Sequence, residues 1–271
     1  MFNNKVAIIT GGSSGIGKAL AFELGRQGAK IVISGRNQKN LFETQSELQE
    51  NGIDTLAVIG DVAIEFDTKD LIDKAIEKFG QIDILINNAG MSMRSMFADA
   101  DVDVIKKLME VNFYGAVHAT KYALPHLTKT KGSIVAISSI AGYRGLPVRT
   151  GYSASKFAMN GFFEALRTEL LHTGVHVLVA CPGFTQSNIR FSAIDGSGSS
   201  TGETVRDEDS MMTAEECAIH IVKAIKNRRR DLVLTAQGKL AVWLNKLWPS
   251  MADKVVFNTL AKEKNSPLVQ K

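Results

Sequence analysis

The chain is 271 residues long, 45% apolar and 22% charged, with a net charge of +4, the composition of an ordinary soluble globular protein with room for one substantial core. Two cysteines outside any C-x-x-C pair exclude a disulfide framework and fit a reducing cytosol, and no apolar stretch reaches the ~18 residues of a spanning helix. The cations are scattered except for Arg228-Arg229-Arg230, which reads as a solvated helix end, so nucleic acid is not an expected partner; no metal site is expected either.

Asn3, Asn4 and Lys5 lead straight into the apolar run 6–10 with no signal peptide, which points to the cytoplasm. Further runs of the same kind follow at 30–34, 55–59, 83–87, 133–138, 176–181 and 232–235. They are nearly continuous in apolar residues, as strands buried on both faces are. Helically spaced segments lie between them and close at glycines, among them Gly28, Gly52 and Gly80. This βα rhythm predicts a single α/β domain over 1–271: a Rossmann-type, doubly wound, seven-stranded parallel sheet with helices on both faces, in three αβα layers.

The first run ends in Thr10-Gly11-Gly12-Ser13-Ser14-Gly15-Ile16-Gly17, and a helical segment follows at once. Glycines let a backbone turn tightly and approach a pyrophosphate, and the unpaired N–H groups of a helix start favour an anion. Gly17 would allow close helix–sheet contact. Dinucleotide binding and a plain tight turn both fit a glycine cluster; the strand before and helix after favour the former. No G-K-[ST] follows, so this is no ATP-type loop. The second run ends Ser34-Gly35-Arg36-Asn37, without the carboxylate that binds a ribose 2′-OH. Arg36, with Ser34 and Asn37 beside it, suits a 2′-phosphate, which predicts NADP(H) over NAD(H); the alternative is a surface arginine in a loop.

Asn87-Asn88-Ala89-Gly90 ends the fourth run. Met91, Met93, Met96 and Phe97 follow and could either line an apolar pocket or pack under a loop. Asn112 lies in VNFYG, and Ser139 ends the fifth run thirteen residues before Tyr152. Tyr152 and Lys156, at i and i+4, share one helix face. An ammonium near a phenol lowers its pKa and suits it to exchanging a proton with a carbonyl oxygen. Residues 187–212, rich in Gly and Ser, follow a strand end and read as a lid or a neutral insertion. In the extension 238–271, Leu240, Trp243, Leu244, Leu247 and Trp248 form one apolar helical face beside Lys239 and Lys246. It fits packing on its own domain, on a partner subunit, or in a membrane surface.

The motifs TGGSSGIG, GDV at 60–62, NNAG, VNFYG, ISSIAG, YSASK and CPGFT stand in this order, and with them the chain resembles the short-chain dehydrogenase/reductase family from Lys5 to about Thr235. Their wording and the tail resemble its branch that includes 11-beta-hydroxysteroid dehydrogenase and dehydrogenase/reductase relatives. The resemblance implies that Tyr152 is the general acid in reduction and the base in oxidation. It implies that Lys156 holds the nicotinamide ribose and depresses the tyrosine pKa. Ser139 would bond the substrate oxygen in preference to Ser138, and Asn112 would position a water. Gly11, Ser13, Ser14, Gly15, Ile16 and Gly17 would cradle the pyrophosphate, Asp61 and Val62 would flank the adenine, and Asn88, with Ala89 and Gly90, would sit near its ribose. Pro182, Gly183, Phe184 and Thr185 would face the nicotinamide carboxamide. The expected activity is an NADP(H)-dependent hydride transfer on a lipophilic ketone or secondary alcohol by a homodimer or homotetramer. Two alternatives are reduction of 3-oxoacyl chains on an acyl carrier protein and a non-catalytic NADP(H) sensor; a sensor needs no such set as Asn112, Ser139, Tyr152 and Lys156.

Overall fold

Seven apolar runs become seven strands of one sheet in the computed structural model, which describes residues 2–186, 189–202, 204, 211–263 and 265–269. They are β1 (Val6–Thr10), β2 (Lys30–Gly35), β3 (Thr55–Ile59), β4 (Ile84–Asn87), β5 (Ser133–Ile137), β6 (His176–Cys181) and β7 (Asp231–Val233). Every pairing is parallel and the order is β3-β2-β1-β4-β5-β6-β7.

Continuous apolar strands arise because both faces are covered. Ala7 and Ile9, Ile31 and Ile33, and Val135 and Ile137 point to one layer, built from α1 (Gly15–Arg26), α2 (Gln38–Glu50) and α7 (Ala214–Lys226). Their neighbours Val6, Ile8, Val32, Ile134 and Ala136 point to the other, built from α3 (Glu65–Phe79), α5 (Gly115–Thr130) and α6 (Thr150–Glu169). The order reverses between β1 and β4. In a sheet of this kind that point opens a crevice at the carboxyl ends of the strands.

Local chemistry fixes several helix starts. Asn37 Oδ1 accepts from Asn40 N at 3.0 Å to cap α2. Thr213 and Glu216 form a reciprocal capping box on α7. Helix α7 ends at Lys226, before the arginine triplet, which lies exposed in the following turn rather than in the last helical turn. Helix α4 (Val102–Met109) runs into α5 through a π-helical turn at Glu110–Tyr114 that contains Asn112; such turns recur at functional sites.

The tail forms two helices, α8 (Ala236–Leu247) and α9 (Pro249–Ala261). Pro249, with no N–H to donate, starts the second rather than continuing the first. Both pack on their own domain. Asn245 Nδ2 donates to Tyr143 O at 3.1 Å, and its Oδ1 accepts from Arg144 Nη1 at 2.9 Å. Arg144 also pairs with Asp253, and Arg94 Nη2 donates to Asn265 O at 2.9 Å.

Candidate active site

The glycine turn sits at the mouth of the crevice. Gly11 has φ +65°, in the left-handed region that favours glycine. A Cβ on Gly17 would lie 2.2 Å from Gly11 O and 2.5 Å from Asn88 Nδ2. That Nδ2 donates to Thr10 O and Gly11 O at 2.9 and 3.0 Å, while Thr10 Oγ1 accepts from Asn88 N and Ala89 N, both at 3.1 Å. The ends of β1 and β4 are thereby stitched together behind the turn. Ser14, which precedes α1, makes no side-chain cap bond, so the helix start is not closed by its own side chain and fits an anion.

A cleft of about 1170 Å³ runs from this turn to Tyr152. Gly11, Ser13, Ser14, Gly15, Ile16, Arg36, Asn37, Asp61, Val62, Asn88, Ala89, Gly90, Ser139, Tyr152, Lys156, Pro182, Gly183 and Thr185 all line it. Gly17 and Asn112 do not: Gly17 is packed behind the turn, and Asn112 is fully buried. Asn112 Oδ1 accepts from Met91 N at 2.8 Å, and its Nδ2 donates to Met91 O at 3.0 Å and Ser155 Oγ at 2.8 Å. It therefore clamps the strand-end loop to the helix that carries Tyr152.

At the end of the cleft beside β2, Arg36 is 60% exposed and meets Asp61 Oδ2 at 3.4 Å. An exposed pair of that length is weak and readily exchanged for a better anion. The Ser34 hydroxyl does not reach the cleft: it is buried without a hydrogen-bond partner among the described residues, because strand alternation turns it into the protein. Asn37 lines the cleft, with its Oδ1 engaged as the α2 cap.

At the other end, Ser139 Oγ accepts from Ala141 N at 3.1 Å and is hydrogen-bonded to the Tyr152 phenol. Ser138 Oγ instead donates to Lys156 O at 3.4 Å, which explains why Ser139 is the serine facing the phenol. Lys156 is 3% exposed; its Nζ donates to Ile137 O at 2.9 Å and lies 5.8 Å from the Tyr152 ring centroid.

The tyrosine pKa departs from the sequence expectation. Burial pushes the phenol above its ordinary value, and this outweighs the lowering by the Ser139 hydrogen bond and by the charges of Arg149 and Arg190. Lys156, anchored on Ile137 O, does not offset that burial. Burial lowers the amine itself, to about 8, so its capacity to stabilise a phenolate is reduced.

That depression has a consequence for stability. The folded amine titrates at about 8 and an ordinary one at 10.5. Between these values the unfolded chain binds the extra proton, so stability rises with pH through that window and the full penalty stands below it. Lys156→Met removes that penalty at the cost of the bond to Ile137 O, and is therefore expected to gain most in stability over the parent at neutral pH. Thermal melts of both proteins across pH check this; the gap should close as pH passes 10.5.

Three residues that line the cleft carry no sequence signal: Arg149, Arg190 and Arg144, which come from segments without a motif. The apolar wall is also displaced from where the methionines suggested. Met91 and Met93 are buried in a small core with Leu108 and Ile194, and neither they nor Met96 and Phe97 line the cleft. Leu240, Leu244, Val255 and Leu260 of α8 and α9 supply that wall. Of the expected lid, Ile189, Arg190 and Ser192 line the cleft, while Ser187, Asn188, Glu203 and residues 205–210 lie outside the described residues.

A model of the short chain dehydrogenase family matches residues 5–196. The chain is 35% identical to dehydrogenase/reductase SDR family member 7B of Rattus norvegicus, over 97% of this chain and 83% of that one. It is 35% identical to 11-beta-hydroxysteroid dehydrogenase-like 4A of Arabidopsis thaliana, over 92% and 82%. Among solved structures, a short chain dehydrogenase/reductase from Burkholderia phymatum in complex with NAD superposes with a TM-score of 0.83 at 24% identity, covering 92% of this chain and 95% of that one. An alcohol dehydrogenase from Thermococcus sibiricus complexed with 5-hydroxy-NADP gives 0.74 at 24% identity, covering 85% and 95%.

Proposed function

The chain belongs to the short-chain dehydrogenase/reductase family, and on that premise we propose that it is an NADP(H)-dependent oxidoreductase acting on a lipophilic ketone or secondary alcohol. The observation that carries this is the convergence of Ser139, Tyr152 and Lys156 with the glycine turn on one cleft. When bound, the nicotinamide dinucleotide supplies or accepts the hydride.

The chain's own groups do the rest. The α1 start and Gly11 receive the pyrophosphate, with Gly17 leaving room for the turn to sit close. Lys156 holds the ribose and Thr185 the carboxamide. Ser139 donates to the substrate oxygen, and Tyr152 gives that oxygen a proton in reduction or takes it in oxidation. A phenol raised by burial stays protonated at neutral pH, which suits the reductive direction. The α8–α9 wall excludes water from an apolar substrate.

Arg36 and the lack of a carboxylate after β2 support NADP(H). A free lipophilic substrate is favoured over an acyl chain on an acidic carrier, because Arg144 and Arg149 at the cleft are already paired with Asp253 and Glu263. The protein assembles as a homo-oligomer through the outer faces of α5 and α6, where Tyr114 at the start of α5 and Phe157 are exposed. No helix among the described residues is long and apolar enough to cross a membrane. Exposed Trp243, Leu247, Trp248, Met251 and Phe257, with Lys239, Lys246 and Lys254 on the same helices, suit a peripheral contact with one.

A panel of ketones and alcohols, followed through the absorbance of reduced nicotinamide, tests the activity; no turnover of any member overturns it. In the same assay Arg36→Asp should lower the preference for NADPH over NADH by about tenfold or more, since a carboxylate there repels a 2′-phosphate. Equal losses with both nucleotides would discard the cofactor assignment.

A further inference from the structure

The C-terminal segment reaches the catalytic helix through one buried carboxylate. Glu263 follows α9, and its side chain is 3% exposed. Its Oε2 lies 3.1 Å from Arg149 Nη2 and its Oε1 3.3 Å from the same nitrogen, while Arg94 Nε is 4.0 Å away. Arg94 stands in the loop after β4, where its backbone N donates to Ile194 O at 2.8 Å. Arg149 is the residue just before α6, three positions ahead of Tyr152, and its O accepts from Ser153 N at 2.8 Å. One carboxylate thus ties together the strand-end loop, the start of the catalytic helix and the tail.

We propose that Glu263 is a positioning residue for Tyr152: by holding and compensating the Arg149 guanidinium, it sets how much positive charge the phenol meets. The proposal deepens the oxidoreductase reading, on which it rests for the phenol's role. Burying a carboxylate is costly unless it is paired, and truncating one partner strands the other charge, so this arrangement fixes Arg149 firmly in place. The ionisable and charged groups around the phenol are Lys156, Cys181, Arg149 and Arg190, with the Ser139 hydroxyl bonded to it. Among the described residues, Arg149 and Arg94 face Glu263. The Arg149 charge favours the phenolate. Removing the carboxylate strengthens that charge and brings the raised phenol pKa down toward its ordinary value; removing Arg149 raises it.

The test uses the full-length chain with Glu263→Gln, which keeps the shape and an accepting oxygen but loses the charge. Two readouts are taken: the pH profile of alcohol oxidation, and the tyrosinate absorbance after a stopped-flow pH jump, wild type minus Tyr152→Phe. In E263Q the acid limb of kcat and the tyrosinate midpoint should both move down by about half to one pH unit. Arg149→Gln should move them up. A kcat lowered by the same factor at every pH, with the midpoint unmoved, makes Glu263 a merely structural residue and overturns the proposal. Should E263Q not fold, Glu263→Asp, which draws the carboxylate back from Arg149, should give a smaller downward shift, and an unmoved midpoint there overturns it equally. The absorbance readout needs no turnover. If no substrate is found, the oxidoreductase reading falls while the midpoints still decide this inference.

Discussion

Tyr152→Phe is expected to lower ketone reduction by about 10²- to 10⁴-fold, the contribution of a positioned acid, while leaving the fold and nucleotide affinity within a few-fold of the parent. The substitution removes one oxygen. That oxygen's partner is the Ser139 hydroxyl, which still accepts from Ala141 N at 3.1 Å and is therefore not left without a bond. The ring keeps its place on α6, where Lys156 Nζ sits 5.8 Å from its centroid and stays anchored on Ile137 O. Loss of activity with intact binding, measured by nucleotide titration beside steady-state kinetics, assigns the proton to this phenol. Unchanged reduction would show that another group or solvent supplies it.

The same phenol sets the pH dependence. Its pKa is raised, chiefly by burial. The acid form needed for reduction is then present across the neutral range, and the base form needed for oxidation becomes available only as pH rises. Oxidation should climb with pH while reduction stays flat until the alkaline side, and neither limb should survive in Tyr152→Phe.

Much of this machinery was legible from residues alone, for a physical reason. Backbone-determined features leave local signatures: β1, the glycine turn and α1 form one contiguous stretch, and Tyr152 and Lys156 are one helical turn apart. Buried parallel strands announce themselves by continuous apolar runs, which fixed the strand count and brought the ends of most strands within one or two residues. Features made by long-range contact leave no such trace. Nothing near Arg149 in the chain says that it meets Glu263, more than a hundred residues away. The apolar face of α8 was visible as a stripe, but its period could not say which of three surfaces it would cover. Only the tertiary arrangement puts Leu240 and Leu244 on the cleft and leaves Trp243 and Trp248 half exposed. The spacing of Tyr152 and Lys156 reveals the neighbouring amine but not the burial that raises the phenol pKa.

Gly17→Ala should damage both the fold and the nucleotide cradle. The added carbon would stand 2.2 Å from Gly11 O, a backbone atom, and 2.5 Å from the Asn88 amide that bonds Thr10 O and Gly11 O. The first obstacle is backbone, and the second, the end of the Asn88 side chain, is held by its two hydrogen bonds. The turn must move away from α1, or the helix from the sheet, and either breaks the stitch between β1 and β4. Overpacking of this kind costs about 1–3 kcal/mol or more in stability, and a displaced cradle should weaken nucleotide binding by at least about 100-fold, some 2.7 kcal/mol. Gly161→Ala is the control. It lies within α6 with nothing within 4 Å of its added carbon, and replacing a mid-helix glycine by alanine should stabilise by about 0.5–1 kcal/mol. Denaturant melts and nucleotide titrations of the two variants separate the readings. If Gly17→Ala binds nucleotide as the parent does, the glycine turn is a structural bend and the ligand lies elsewhere in the cleft.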